Sequence, residues 1–383
     1  MTAKILPATT DARLSVMEGE VEVLLTGAGT PDSDQMVRFD LTGLDADTAY
    51  SYQVKLDGTL IGPAGKFRTL PAGAPSGTPC SFTCAFAGDA ETRSERAVFR
   101  AIVDSDPLFF IHLGDLHYEN ISTNSPALFH AAYDTVLRSR AQAPLYREVP
   151  TVYVWDDHDY GANNSDGTSA SKPAAAAAYR SRVPHYPLEE STSIYHSFDV
   201  GRVRFIVTDQ RSAATPNAAT DDSSKSMLGT AQKTWFKDLL SNSSGKLIVW
   251  ICPRWFRQGV IAATDSWTGF TTERAEIVDH IHTNCSGRVI VISADLHTLA
   301  IDDGTNFDFA TSGSEPLPVF QAAALDQSPV SGGDTYTEGE FLNFGQWGKM
   351  AIADSGGATI DVTWTGHDST GAVLATLNFS VAV

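Results

Sequence analysis

Two kinds of hydrophobic pattern follow one another along this chain. From Val21 to about Leu70, apolar and polar residues alternate in short stretches: Val21–Leu25, Met36–Leu41, Ala49–Leu56 and Lys66–Leu70. A period of two over such lengths marks half-buried strands, so this part predicts an antiparallel β-sandwich. Pro71 to Pro79 is rich in Pro, Gly and Ser and predicts a linker. Beyond it the apolar runs become continuous: Phe82–Phe86, Leu108–Leu113, Thr151–Trp155, Val203–Val207, Leu247–Ile251 and Val289–Ile292. Continuous runs mark strands buried on both faces, joined by helical crossovers. Arg93–Val103 carries Ala97, Val98 and Ile102 at helical spacing, and Ala174–Ala178 behind Pro173 predicts a helix start. The tail returns to alternation at Met350–Ile352, Ala358–Trp364 and Ala375–Phe379. The expected fold class is α/β, with a small β-sandwich domain over residues 1–75 and a larger domain over 80–383.

Composition narrows the function classes. The 383 residues are 42% hydrophobic and 19% charged, enough apolar material for a core and too little charge for a disordered chain. Against 27 Lys and Arg stand 46 Asp and Glu, a net charge of −19 that argues against nucleic-acid or anionic-membrane binding. An anionic substrate needs a local positive charge, such as bound metal ions, to overcome that field. No apolar run approaches the roughly 18–20 residues of a membrane span, so no transmembrane anchor is expected. The start, Met1-Thr2-Ala3-Lys4, does not read as a secretion signal, an expectation that leaves open the earlier removal of a leader. Cys80 and Cys84 lie about 13 Å apart in extended chain, beyond the roughly 7 Å reach of a disulfide, and read as small buried hydrophobes.

The chemistry sits at the strand ends. Four of the six runs finish in acidic clusters: Gly88-Asp89, Gly114-Asp115, Asp156-Asp157-His158-Asp159 and Asp295-Leu296-His297. A fifth reaches Asp209 and Arg211. In open α/β sheets the carboxyl ends of strands converge on one crevice. Several carboxylates share a crevice in ionised form only if cations neutralise them, which makes a metal site the economical reading. Each Gly-Asp alone is an ordinary turn or helix cap, and the run at 156–159 alone is a solvated acidic turn. It is their joint occurrence that points to metal, and the Asp, His and Tyr donors suit iron, manganese, zinc or calcium.

Gly114-Asp-Leu-His-Tyr118, Trp155-Asp-Asp-His-Asp-Tyr160, Asp209-Gln-Arg211 and Ser293-Ala-Asp-Leu-His297 resemble the signature of PhoD-type alkaline phosphatases, within the calcineurin-like metallophosphoesterases. The resemblance covers residues 80–383 and implies a four-layer αββα sandwich. The stretch Leu44–Tyr52 resembles the tyrosine corner of fibronectin type III-like domains. By resemblance, Asp89 binds one metal, Asp115 bridges two, Tyr118 ligates iron, Asp157 binds the second metal, and Asp295 with His297 closes the site. His158 is then the general acid or phosphate contact, with Asp159 orienting its ring. Arg211 either binds a substrate oxygen or makes a structural ion pair, and His117 either contacts substrate or caps its loop. The chain departs from the superfamily pattern at Asp89-Ala90-Glu91, where Asp-x-His is usual, and at Ala294, where glycine is usual. The separate histidine expected before the last motif is absent near Ile251-Cys-Pro-Arg254, where Cys252 reads as a buried thiol.

The expected cofactors are two or more metal ions per chain, iron with calcium, manganese or zinc. The expected activity is hydrolysis of phosphate mono- or diesters, small-molecule or lipid-type, by metal-bound hydroxide at neutral to alkaline pH. A phosphotriesterase or phospholipase-like esterase on the same centre is the alternative among enzymes, and a binding protein with a decayed metal site the alternative outside them. The resemblance implies a periplasmic or secreted protein. His185 and the loop Gly161–Gly167 are candidates for the substrate entrance, whereas His112 reads as a satisfied core histidine and Trp250, Trp255 and Trp267 as core.

Overall fold

The continuous apolar runs become the parallel strands of two sheets packed face to face. In the computed structural model, which describes residues 2–4, 11–72, 78–259 and 264–383, the first of these sheets has six strands. Phe82–Ala87, Phe109–His112 and Thr151–Tyr153 run parallel, and the tail strands Trp347–Ala353, Thr359–His367 and Val373–Ala382 extend the sheet antiparallel beside the first of them. The second sheet has seven, built around four parallel strands: Val203–Val207, Leu247–Cys252, Val289–Ser293 and Val319–Ala322.

Residue alternation sorts the side chains into layers. Phe82, Cys84 and Phe86 of the first sheet meet Phe205, Val249 and Ile251 of the second in one core. The intervening Ala85 and Ala87 face the helix Val98–Asp104. On the far side, Ile206, Ile248 and Trp250 face the helices Gly229–Ser241 and Thr271–Cys285. The result is the expected four-layer arrangement of helix, sheet, sheet and helix.

The N-terminal part forms a four-stranded antiparallel sheet, ordered Val21–Leu25, Ala12–Glu18, Ala49–Leu56, Thr59–Arg68. Its own small core holds Leu14, Val16, Val37, Phe39 and Tyr50. The Tyr50 hydroxyl accepts a hydrogen bond from the Asp45 N–H at 3.0 Å, a tie of the tyrosine-corner kind. The strand Ala12–Glu18 precedes the first one expected, at Val21, and its Ala12, Leu14 and Val16 line one buried face. Also unexpected are Leu299–Asp302 and Val319–Ala322, four-residue strands too short to display a period. Of the expected linker, residues 73–77 lie outside the described residues. All four cysteines are free and buried, and no helix among the described residues is long and apolar enough to cross a membrane.

Candidate metal centre

At the carboxyl ends of the parallel strands the chain turns sharply, and the turns carry the acids. Asp89, Asp115, Asp295 and His297 all adopt left-handed backbone, with φ of 62°, 53°, 73° and 59°. Such conformations persist only where the surroundings dictate them, and they gather at functional sites. Here backbone bonds lace the turns together: the Asp89 N–H donates to the Gly114 carbonyl at 3.2 Å and the Ala90 N–H to that of Asp115 at 2.9 Å. Gly114, at φ 99°, has no room for a side chain, because a Cβ there would stand 2.5 Å from that of Asp156.

The turns bring together seven of the expected residues. Donor atoms of Asp89, Asp115 and His297 lie within 4.8 Å of one another, as do those of Asp115, Asp157 and His158, so Asp115 is common to both groups. A third group, Asp156, Asp157 and Asp295, meets the same limit. The Tyr118 hydroxyl stands 3.3 Å from Asp89 Oδ1 and 3.1 Å from His297 Nε2. His297 Nδ1 lies 3.1 Å from the Ser328 carbonyl, which assigns the ring proton there and leaves Nε2 a lone pair facing the cluster. Tyr118, His158 at 12% side-chain exposure, and Asp295 and His297 at 21% each, open to solvent, whereas Asp89, Asp115 and Asp157 are 1–2% exposed.

The electrostatics call for a cation. Asp89 Oδ2, Asp115 Oδ2 and Asp157 Oδ1 are buried and accept no hydrogen bond. Burial, then the neighbouring Asp157, pushes the Asp89 carboxyl up to about 7, and burial with Asp157 and Asp89 raises Asp115 well above its usual range. Burial with Asp156 and Asp157 does the same at Asp295. At Asp157 burial also acts upward, but Arg211 and His158 outweigh it and leave the group below its ordinary value. Burial and mutual repulsion thus raise three of these acids, and a cation bound among them would favour their charged form.

The geometry corrects the role expected of Asp159 and bears on the alternatives left open for His117 and Arg211. Asp159 does not reach the His158 ring. It turns into the core and accepts from the Leu116 N–H at 2.9 Å, the Asp156 N–H at 2.6 Å and the Tyr153 hydroxyl. The ring is held instead by Asn120, whose Oδ1 lies 2.7 Å from His158 Nδ1, leaving Nε2 toward the carboxylates. His117 is fully buried against Tyr133 and Phe129, with neither nitrogen hydrogen-bonded, so it cannot meet substrate. Arg211, also fully buried, pairs with Asp156 and with Asp265 at 2.8 Å, and its Nη2 approaches Asp157 to 3.6 Å and Asp295 to 4.0 Å. It acts as an internal counter-charge that neutralises the third acidic group, not as a surface for substrate.

The loop Gly161–Gly167 does lie against the centre: the Asn164 N–H donates to Asp157 at 2.5 Å. His185 does not; its carbonyl accepts from Arg38 of the N-terminal part. Cys252 lies 3.0 Å from both Gln210 Nε2 and Trp267 Nε1, a packed thiol that burial pushes up to about 12.

Comparison with known proteins then decides the family. The model of the PhoD-like phosphatase family matches residues 83–343. This chain belongs to the PhoD-like phosphatase family. Alkaline phosphatase D of Bacillus subtilis (strain 168) is 24% identical over 362 residues, covering 81% of this chain and 60% of that protein. Purple acid phosphatase 23 of Arabidopsis thaliana is 25% identical over 240 residues, 56% of this chain and 48% of that one. The chain thus spans about half to three-fifths of the length of these relatives. A solved structure of PhoD superposes with a TM-score of 0.76 at 18% identity, over 99% of this chain and 85% of that one. That of purple acid phosphatase PPD1 from yellow lupin (Lupinus luteus) seeds does so at 0.67 and 13% identity, over 99% and 71%, and both establish the fold.

In this PhoD-like chain, sequence reasoning missed Asn120 and Asp265. Asn120 has φ 51°, a conformation asparagine tolerates, but nothing local announces that it faces a histidine 38 residues on. Asp265 belongs to no motif and is recognisable only through Arg211 and Arg254, which it pairs with at 2.8 and 3.2 Å.

Proposed function

We propose that this chain hydrolyses phosphate mono- or diesters at a dinuclear metal centre. The observation that carries the reading is the row of buried carboxylate oxygens without partners, centred on Asp115, at the converged strand ends. Asp89, Asp115 and His297 would hold one ion, with Tyr118 beside it, and Asp115, Asp157 and Asp295 the other. When bound, two cations neutralise the phosphoryl oxygens and acidify water enough for attack near neutral pH. Iron(III) suits the first position, since an oxygen donor of the phenolate type is available there: the Tyr118 hydroxyl stands 3.3 Å from Asp89 Oδ1 and 3.1 Å from His297 Nε2.

The chain's own residues then act on the ester. Protonated on both nitrogens, the His158 ring would give its Nε2 proton, at the mouth, to the leaving oxygen and be left neutral, while Asn120 keeps it turned by receiving the Nδ1–H. Tyr118 packs on the His158 ring at 4.1 Å between centroids and limits its rotation. Arg211 and Arg254, buried behind the carboxylates, keep the uncompensated charge to what the ions can balance.

The test is elemental analysis of the purified full chain, followed by assay on p-nitrophenyl phosphate, bis(p-nitrophenyl) phosphate and a triester. Two ions per chain and turnover of the mono- or diester are expected. A chain that takes up no metal, or that loads two ions and turns over none of the three, overturns the reading; turnover of the triester alone replaces it with the triesterase.

A further inference from the structure

A cavity of about 560 Å³ lies between the N-terminal sheet and the strand Thr151–Tyr153, and none of the residues of the metal centre lines it. That volume is within the range of sites for small organic ligands. Phe67 and Leu41 from the N-terminal side face Val152 and Phe109 from the other, so most of the wall is hydrocarbon and aromatic. The cavity belongs to the junction of the two parts, which the Tyr52 hydroxyl bridges by donating to the Arg147 carbonyl at 3.0 Å.

Two features of the wall point to a ligand. The first is buried polar groups with nothing to bond. Both ring nitrogens of His112, a fully buried residue, and the Tyr146 hydroxyl lack hydrogen-bond partners, as do Arg147 Nε and Arg182 Nε. Arg182, itself 3% exposed, keeps Nε 3.6 Å from Asp134, too far to donate. Native interiors rarely leave such groups idle without a ligand or water to take them up. The second is the presence of cationic side chains in the wall: Lys66, Arg68, Arg147 and Arg182 line it with the single acid Asp40, while Asp47, Glu148 and Asp134 pair with Arg68, Arg147 and Arg182 from outside the lining and leave Arg147 Nε and Arg182 Nε without a hydrogen-bond partner.

We propose that the cavity is a second ligand site, for an amphiphilic carboxylate with a medium-length hydrocarbon body. The body lies against Leu41, Phe67 and Val152, and the head group accepts from Arg147, Arg182 and the Tyr146 hydroxyl. The proposal is independent of the phosphoesterase reading, since no residue is shared between the sites.

Calorimetric titration of the full chain with decanoate tests it, with decanamide as the uncharged control and inorganic phosphate as competitor. One saturable site per chain is expected, at least tenfold tighter for decanoate than for decanamide and undisturbed by phosphate. Leu41→Trp and Val152→Trp fill the cavity from opposite walls and each abolishes binding, while Arg147→Gln weakens decanoate about tenfold and leaves decanamide unchanged. Thermal unfolding is measured for each variant, and if one filler melts early the other, on the opposite wall, carries the test. Absence of saturable binding, binding that survives both fillers, equal affinity for the amide, or displacement by phosphate overturns the proposal.

Discussion

Asp115 and Asp209 are both aspartates just past the end of a buried parallel strand, both nearly inaccessible, and they serve opposite ends. Asp209 accepts six hydrogen bonds: from Trp155 Nε1, the Ser193 hydroxyl, the backbone of Ile194, Arg211 and Ser212, and the Ser212 hydroxyl, at 2.6–3.1 Å. Asp115 accepts one, from the His158 N–H at 3.2 Å, and its Oδ2 has none. A carboxylate saturated by protein donors has no lone pairs left for a cation, whereas one left bare in the interior is destabilised until a cation arrives. Position after a strand therefore does not distinguish ligand from scaffold; the number of protein donors does.

The contrast is broken most directly at Asp115. Asp115→Asn removes the charge shared by both donor groups, and elemental analysis is expected to find metal lost along with activity, on the order of 10⁴-fold. Asp209→Asn is expected to keep its metal and to lose about 1–3 kcal/mol in urea unfolding, because an amide cannot accept all six bonds. Metal loss in the second variant, or retention in the first, removes the distinction. His158→Ala is expected to keep both ions and to lower kcat by roughly 10²–10⁴-fold, the usual contribution of a placed general acid. Its failure to keep metal would make His158 a ligand instead.

The same contrast explains how much of the molecule was legible in its sequence. The two central sheets were readable because strands buried on both faces leave unbroken apolar runs, as at Leu247–Ile251. The clustering of Asp89, Asp115, Asp157 and Asp295 followed from their places after such runs. What could not be read is where an acid's oxygens point. Asp157 and Asp159 are two residues apart in one short turn, yet one faces the cluster and the other the core, where Tyr153 and two backbone N–H groups hold it. The partners that decide this, Leu116 for Asp159 and Asn120 for His158, are 43 and 38 residues away in sequence. Which of its two readings Arg211 follows was hidden for the same reason, since Asp265, 54 residues on, pairs with it and favours the structural ion pair.

A bare polar group does not by itself mark a ligand for metal, and His112 tests that limit. Both its nitrogens lack partners, but Phe110, Tyr146 and Tyr153 surround it in place of carboxylates. Burial lowers its pKa to about 3. Between that value and the unfolded value of about 6.5 the unfolded chain binds the proton and the native chain does not, so stability falls as pH falls through this window. From pH 6.5 to 4.5 the loss due to this one group is about 2 kcal/mol. His112→Phe removes it, and urea unfolding at the two pH values should show the variant losing about that much less than the parent chain. Equal losses would mean that His112 is protonated in the folded protein.

The smallest effect lies beside the centre, where Asn120 rather than Asp159 orients His158. Asn120 Oδ1 accepts from the ring and, at 3.1 Å, from the Asn163 N–H, so it ties the histidine to the loop that covers Asp157. Without that acceptor the ring is free to turn Nε2 away from the leaving oxygen, but nothing that binds metal or substrate is lost. Asn120→Ala is therefore expected to lower kcat about tenfold, roughly 1.4 kcal/mol of barrier, with KM and metal content unchanged. Asn120→Asp, which keeps an acceptor at the same place, recovers most of the rate. If instead Asn120→Ala acts mainly on KM, or Asn120→Asp fails to rescue it, the residue shapes the loop and the orientation of His158 rests on its stacking against Tyr118.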